Sequence, residues 1–449
     1  MAYTPDHDRT EDHEQTEAPS TLSRGRFLRN AGLGAAGVAA GSVLPGLSSP
    51  IGISFGAGTL NVSYWYPVTP VSVLTGLLNE FGKQHGLKVT YFQEPQVFGD
   101  TVQKLTTYLS SGYTGLDLYW LDNFMTATFS NAGWLVPLED KISQSTWSSL
   151  SPFSVKLTTY NGHKYAVPGY AGGVLFYYRK DVFDKMGLAV PKTWDDIRAA
   201  GIKITKNSGG KMYGLGFAGK NGNTELFNEM CYWMGQAGAS PVKPNTPGAK
   251  TTLQWIYDNL NTYKIMPPDT ITADYTSLQT AFENDRFAMW PVWSGFLHTF
   301  QTDAKFMQHA KVAVALPPKG PKNNHTIADS WAWAISKYSK NQEMSVKFIE
   351  YMSTPQAMMQ MCLTGRLPAR YSLLSHLTPQ AQQVLGDQTK FLALYDKAGL
   401  RSPRPITAQA QRISDAFEAV MNQCLNKQIT VDAALTEAQQ RITQIQQNS

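Results

Sequence analysis

From Thr59 the chain alternates short runs of β-branched and aromatic residues with longer runs whose apolar positions recur at helical spacing. Thr59 to Tyr66 (TLNVSYWY) predicts a strand, and Val71 to Lys83 then sets Leu74, Leu77, Leu78 and Phe81 on one helix face. Leu87 to Phe92 (LKVTYF) predicts a second strand, Asp100 to Ser111 a helix, Asp117 to Leu121 (DLYWL) a third strand, and Phe124 to Asn131 another helix. This alternation predicts an α/β fold with a parallel sheet and helices on both faces. Two helix starts follow from side-chain chemistry. Thr193 caps the amides of the turn that follows while Asp196 reaches back, and Thr354 caps a helix whose first residue is Pro355, where a missing N–H costs nothing. The stripes Met344, Phe348, Ile349, Met352 and Val431, Leu435, Ala438, Ile442, Ile445 read as core-facing.

At 449 residues the chain exceeds the length at which one core stops growing, so two lobes are expected. A net charge of +5 without a long basic tract gives no footprint for nucleic acid. Cys231, Cys362 and Cys424 lie far apart, form no CxxC, and allow at most one bridge. Residues 1–58 read as a flexible leader and export signal. Residues 1–23 are polar and acidic, Ser23 to Arg29 is basic, and Ala31 to Leu47 is an uncharged Ala/Gly-rich run. The basic block resembles a twin-arginine signal with Gly25 between its two arginines, so the general secretion route stays open beside it. No cysteine follows that run to carry a lipid, and no later segment is apolar enough to span a membrane.

H-E-x-x-H does not occur, G-x-S-x-G occurs only at Gly52 to Gly56 (GISFG) within the leader and export segment, and the carboxylate pairs Asp195-Asp196 and Glu139-Asp140 read as a cap and a turn. A two-carboxylate glycoside-active site, whose members need only meet in space, stays open as an alternative. The stronger signal is aromatic: Trp65, Trp120, Trp290, Trp293, Trp331 and Trp333 fall near predicted strand ends, where open α/β sheets bind ligands. Indoles stack on the C–H face of a sugar ring while carboxylates and Arg bind its hydroxyl rim. Filling the core is the competing role for each tryptophan. Trp331 and Trp333 are expected to face opposite ways along Ser330 to Ile335, with Trp331 toward the cleft. Tyr177-Tyr178, a pair able to bind ferric iron as phenolates, lies in a run (VLFYYR) that predicts a buried strand, with no nearby His/Glu pair to complete the shell. No cofactor or metal is expected.

Tyr165 to Thr205 (YAVPGYAGGVLFYYRKDVFDKMGLAVPKTWDDIRAAGIKIT), Ala281 to Trp293 (AFENDRFAMWPVW), Val312 to Gly320 (VAVALPPKG) and Thr364 to Arg370 (TGRLPAR) carry a family resemblance. Together they resemble the extracellular solute-binding proteins of ABC importers, in the sugar- and oligosaccharide-binding branch that is similar to maltose-binding protein. Asp285 stands where that family has Gly, and Asp is expected to keep the left-handed turn. The resemblance implies a two-lobed periplasmic-binding-protein fold of type II, with three crossing segments and a ligand cleft between lobes. Lobe one would be 59–167 plus 329–371 and lobe two 168–328 plus 372–449, with crossings near Val167 to Tyr170, His325 to Asp329 and Ala369 to Leu374. It implies a non-enzymatic, exported, monomeric receptor that delivers a carbohydrate, of two or more units, to a membrane permease. Carried over by position, the ligand-binding residues are Trp65, Trp120, Asp122, Tyr170 and Arg366, with Trp290 and Trp293 competing for the stacking role, Trp331 added from the strand reading above, and Trp233 and Glu94 as weaker candidates. The remaining alternatives are an exported hydrolase, or a receptor for a polyamine or iron.

Overall fold

The computed structural model describes residues 58–65 and 70–448. The leader and export segment lie outside them, as does Tyr66 at the end of the first predicted strand. In chain order the strands are β1 (Thr59–Tyr64), β2 (Lys88–Gln93), β3 (Leu118–Asp122), β4 (Thr159–Tyr160), β5 (His163–Lys164), β6 (Ala166–Pro168) and β7 (Gly172–Arg179). They continue as β8 (Tyr213–Leu215), β9 (Phe287–Trp293), β10 (Val312–Ala315), β11 (Thr326–Asp329), β12 (Trp331–Ile335) and β13 (Arg401–Pro403). Helices fill most of the connections at the predicted places, Val71–His85, Phe98–Ser110 and Asn123–Asn131 among them. Among the described residues no helix is long and apolar enough to cross a membrane.

Sheet one runs β2-β1-β3-β12-β6 and sheet two β13-β11-β7-β9-β8, with β10 also paired to β7. The expectation of a parallel sheet holds only in part: β1 pairs in parallel with β2 and β3, and in sheet two β11 with β13 and β8 with β9, while the other pairings of the two sheets are antiparallel. β12 runs antiparallel to both β3 and β6, because it enters sheet one directly from β11 of the other sheet through Ser330. All eight residues of β7 are buried, the continuous apolar run expected of a strand covered on both faces.

Three passes connect the sheets side by side. Residues 169–171 link β6 to β7, Ser330 links β11 to β12, and residues 367–369 run beside the first pass. The Tyr170 amide donates to the Trp331 carbonyl (3.2 Å), the Ala171 amide to Leu367 (2.9 Å), and the Ser330 hydroxyl to the Tyr170 carbonyl (2.7 Å). These bonds satisfy buried backbone groups that leave one sheet before they join the next.

Local chemistry set the caps as expected. Thr193 and Asp196 form a reciprocal capping box, and the Thr354 hydroxyl accepts from the Ala357 amide (3.2 Å) ahead of Pro355. Asp285 sits at φ 61° and its carboxylate pairs with Arg179, so the turn expected there forms with Asp in place of Gly. All three cysteines are free and buried. Tyr177 and Tyr178 are buried in β7, and the Tyr177 hydroxyl donates to Gln388 Oε1 (3.1 Å), an arrangement that uses it in packing. Among the described residues no cluster of three or more His, Cys, Asp or Glu forms a metal-binding group.

Candidate functional site

A cavity of about 170 Å³ opens where the ends of both sheets and the three passes meet. Six of the residues singled out from sequence line it: Trp65, Asp122, Tyr170, Trp293, Trp331 and Arg366. Trp65, just beyond β1, stacks face to face on Trp331 at 4.5 Å and 6° between planes, and Phe98 meets both rings edge-on. Trp293 ends β9 on the sheet-two side, half-buried, with the Arg404 guanidinium 5.2 Å from its ring. Indoles therefore approach the cavity from both sheets.

Trp120 and Trp290 do not line it, which corrects their assignment as ligand contacts. Trp120 is buried between Tyr64, stacked at 5.2 Å, and Trp333 at 4.5 Å; it projects from the middle of β3, behind the cavity floor. Trp290 is fully buried among Tyr275, Phe282, Phe287, Phe296 and Phe300. Of the two candidates in that segment, the one at the strand end reaches open space and the one inside it fills the core. Trp331 and Trp333 are both buried, and residues two apart on a strand share a face, so the expectation of opposite facing fails. Trp331 lines the cavity because it begins β12 beside the pass. Trp233, packed on Trp194 and Trp255, and Glu94, held by Ser63 and Lys104, are structural.

The polar groups are held firmly. Asp122 ends β3 and caps the helix Asn123–Asn131, accepting from the Phe124 amide at 2.7 Å, and it also pairs with Arg404. Burial pushes its carboxyl up, opposed by Arg404 and by that amide. The Tyr170 hydroxyl donates to the Ser294 carbonyl (2.9 Å), and the Arg366 guanidinium lies over the Tyr170 ring, 5.5 Å from its centroid. Among the residues missed from sequence, Asp329 ends β11 at the second pass, and its Oδ1 is buried without a hydrogen-bond partner, as is Nε of Arg366. That acceptor and that donor are the complement of a ligand hydroxyl. Glu225 and Asn228 come from the helix Glu225–Gln236, 11 of whose 12 residues are buried, polar ones included, so its polar positions do not read as exposed or as site residues from the pattern alone. Arg404 comes from far along the chain, after β13.

Gly172 makes this floor possible. A methyl at its Cβ position would collide with both the Asp329 carboxylate and the Tyr170 hydroxyl. Gly172→Ala is expected to displace the first pass, with an overpacking cost of about 1–3 kcal/mol, and to weaken ligand binding at least tenfold. Wild-type melting temperature and affinity in that variant would refute the close approach.

Burial pushes the Asp329 carboxyl up to about 7, with a further rise from the nearby Asp122 charge. Burial likewise pushes Glu225 up to about 8, although its carboxylate accepts from the Tyr275 amide at 2.5 Å. Unfolded, both titrate near about 4. Between the two values the folded chain holds more protons than the unfolded one, so their contribution is whole below about pH 4 and lost as pH rises through 7 to 8. Glu229 and Glu418, also buried and pushed up to about 8 and about 7, act in the same direction. The melting temperature is therefore expected to fall from about pH 5 to about pH 8.5, and less steeply in Asp329→Asn. Calorimetry across that range that shows a flat or rising profile would refute it.

The architecture, two sheets joined by three passes with an indole-lined cavity at the junction, is that of a type II periplasmic-binding protein. The profile of bacterial extracellular solute-binding proteins matches residues 67–359, and the chain belongs to that family. A putative binding protein of Brucella abortus (strain 2308) is 24% identical over 258 residues, 56% of this chain and 61% of its own length. The match thus spans about three-fifths of that relative. A probable ABC transporter-binding protein of Deinococcus radiodurans is 23% identical over 81% of this chain and 88% of its own. The mannitol-binding protein of Pseudomonas aeruginosa is 26% identical over 57% of this chain and 60% of its own. Among solved structures, a maltose-bound protein of T. maritima superposes with a TM-score of 0.78 at 22% identity, covering 87% of this chain and all of that one. A protein of Agrobacterium vitis with bound D-mannitol superposes with a TM-score of 0.72 at 24% identity, covering 87% and 99%.

Proposed function

We propose that the chain captures a carbohydrate, a di- or oligosaccharide or a related polyol, in this cleft and delivers it unchanged to the membrane permease of an ABC importer. The observation that carries the reading is the placement of Trp65, Trp331 and Trp293 around the unpartnered Asp329 and Arg366 atoms: apolar faces for ring C–H groups beside a donor and an acceptor for hydroxyls. A relative named for mannitol binding and structural neighbours holding maltose or mannitol support it. Lobe one is read as 59–167 with 329–371 and lobe two as 168–328 with 372–449, although Pro168 still pairs in sheet one and Asp329 still in sheet two, each one residue across its boundary. A ligand touching both lobes favours the closed arrangement by its differential affinity, and no bond is made or broken. The protein acts as an exported monomer, its first 58 residues serving as leader and signal.

A polyamine fits this cleft poorly. Asp122 is already paired with Arg404, while Glu225 and Asp329 are shifted toward their neutral forms and the Arg366 guanidinium shares the lining. The test is mass spectrometry of small molecules released from the purified protein, with a thermal-shift panel containing maltose, lactose, D-mannitol and spermidine. A binding carbohydrate at roughly 100 times its dissociation constant adds about 2.7 kcal/mol of stability and is recovered intact. New reducing ends would identify a hydrolase, and a response to spermidine alone would replace the carbohydrate reading.

A further inference from the structure

The geometry points to Arg404 and Asp122 as an interlobe latch that sets how far the two lobes stand closed before ligand arrives; the inference rests on the closure reading above. Arg404 follows β13, which pairs with β11 in sheet two, whereas Asp122 is the last residue of β3 in sheet one. The guanidinium is 1% exposed and spends its donors on both sides. Toward lobe one it bonds Asp122 and, at 3.0 Å, Asn123 Oδ1; toward lobe two it bonds Asn228 Oδ1 at 3.3 Å. Its faces lie against Phe124 of lobe one at 5.5 Å and Trp293 of lobe two at 5.2 Å. One planar group thus holds partners from both halves, in the fork geometry that Lys does not reproduce.

Charge placement gives the latch its sense. When the lobes part, both ions meet water and lose little; when the lobes are together and one partner is missing, the other is left buried without compensation. Each single neutralisation therefore opposes closure, while removing both relieves the conflict. A binding-competent state populated at a lower fraction raises the apparent dissociation constant by the same factor. The Arg404 cation also lies over the Trp293 ring, so the latch orients the indole assigned to the ligand.

The experiment uses the full chain and its Asp122→Asn, Arg404→Gln, Arg404→Lys and Asp122→Asn/Arg404→Gln variants. Asn at position 122 keeps the helix cap while removing the charge, so at least this variant is expected to fold. Small-angle X-ray scattering without added sugar should show a larger radius of gyration in both neutralised single variants, a smaller increase in Arg404→Lys, and a partial return in the double variant. With the carbohydrate found in the thermal-shift panel, each neutralised single variant should bind at least tenfold more weakly, and the double variant less weakly than the product of the two factors. Unchanged scattering in Asp122→Asn, or losses that multiply, would overturn the latch. The scattering arm needs no ligand, so it stays decisive if no carbohydrate binds.

Discussion

Replacing Trp293 by Ala is expected to weaken carbohydrate binding by roughly 1 to 3 kcal/mol, about five- to 150-fold in dissociation constant, with a modest change in melting temperature. The ring sits at the end of β9, where one face is available to the cavity and the backbone is held by strand pairing to Val174. The Tyr177 hydroxyl shares its one proton between Gln388 Oε1 (3.1 Å) and the Trp293 carbonyl (3.3 Å), a backbone contact that the substitution leaves intact. The lost energy is then the stacking and desolvation of one indole. Calorimetric titration of wild type and variant measures it, and Trp293→Phe should recover part of the loss because an aromatic face remains. Equal affinity in all three proteins would remove the stacking role.

Trp290→Ala should instead cost stability, about 3 to 5 kcal/mol, as expected for a buried aromatic truncated in a close-packed core. Five aromatic rings surround Trp290 in the smaller of two core clusters, so truncation leaves a void in a close-packed site. Urea unfolding followed by circular dichroism should show a lower midpoint, while binding by the folded fraction changes far less than in Trp293→Ala. A loss of affinity as large as that of Trp293→Ala, with the midpoint preserved, would reverse the two assignments. The pair matters because AFENDRFAMWPVW offers both indoles three residues apart, and nothing local separates them.

Where local rules act alone, the sequence was sufficient. Apolar spacing placed the helix Val71–His85 and the strands on either side of it within a few residues, and cap chemistry fixed the starts at Thr193 and Thr354. Asp285 adopted the left-handed turn because a short polar side chain tolerates it. The passes were legible through the resemblance, which is why Tyr170 and Arg366 were named. Asp329, at the edge of the second pass, lies beside the same segments but carries no local pattern that marks it.

Position in space was beyond local pattern. Trp120, Trp290 and Trp333 carry the same chemistry as Trp65, Trp293 and Trp331, yet the first three fill cores and the others border open space, because that outcome depends on which strand end faces the gap. Strand direction also escaped, since β12 runs against β3 only because it arrives from the other sheet. Glu225 and Arg404 reach the cavity from an almost wholly buried helix and from a segment hundreds of residues beyond Trp65. The sequence by itself determined the elements, their caps and the supply of indoles, because these follow from neighbours along the chain. Only the tertiary structure decided which indoles meet a ligand and which charges face each other across the cleft, because burial and pairing are set by residues distant in sequence.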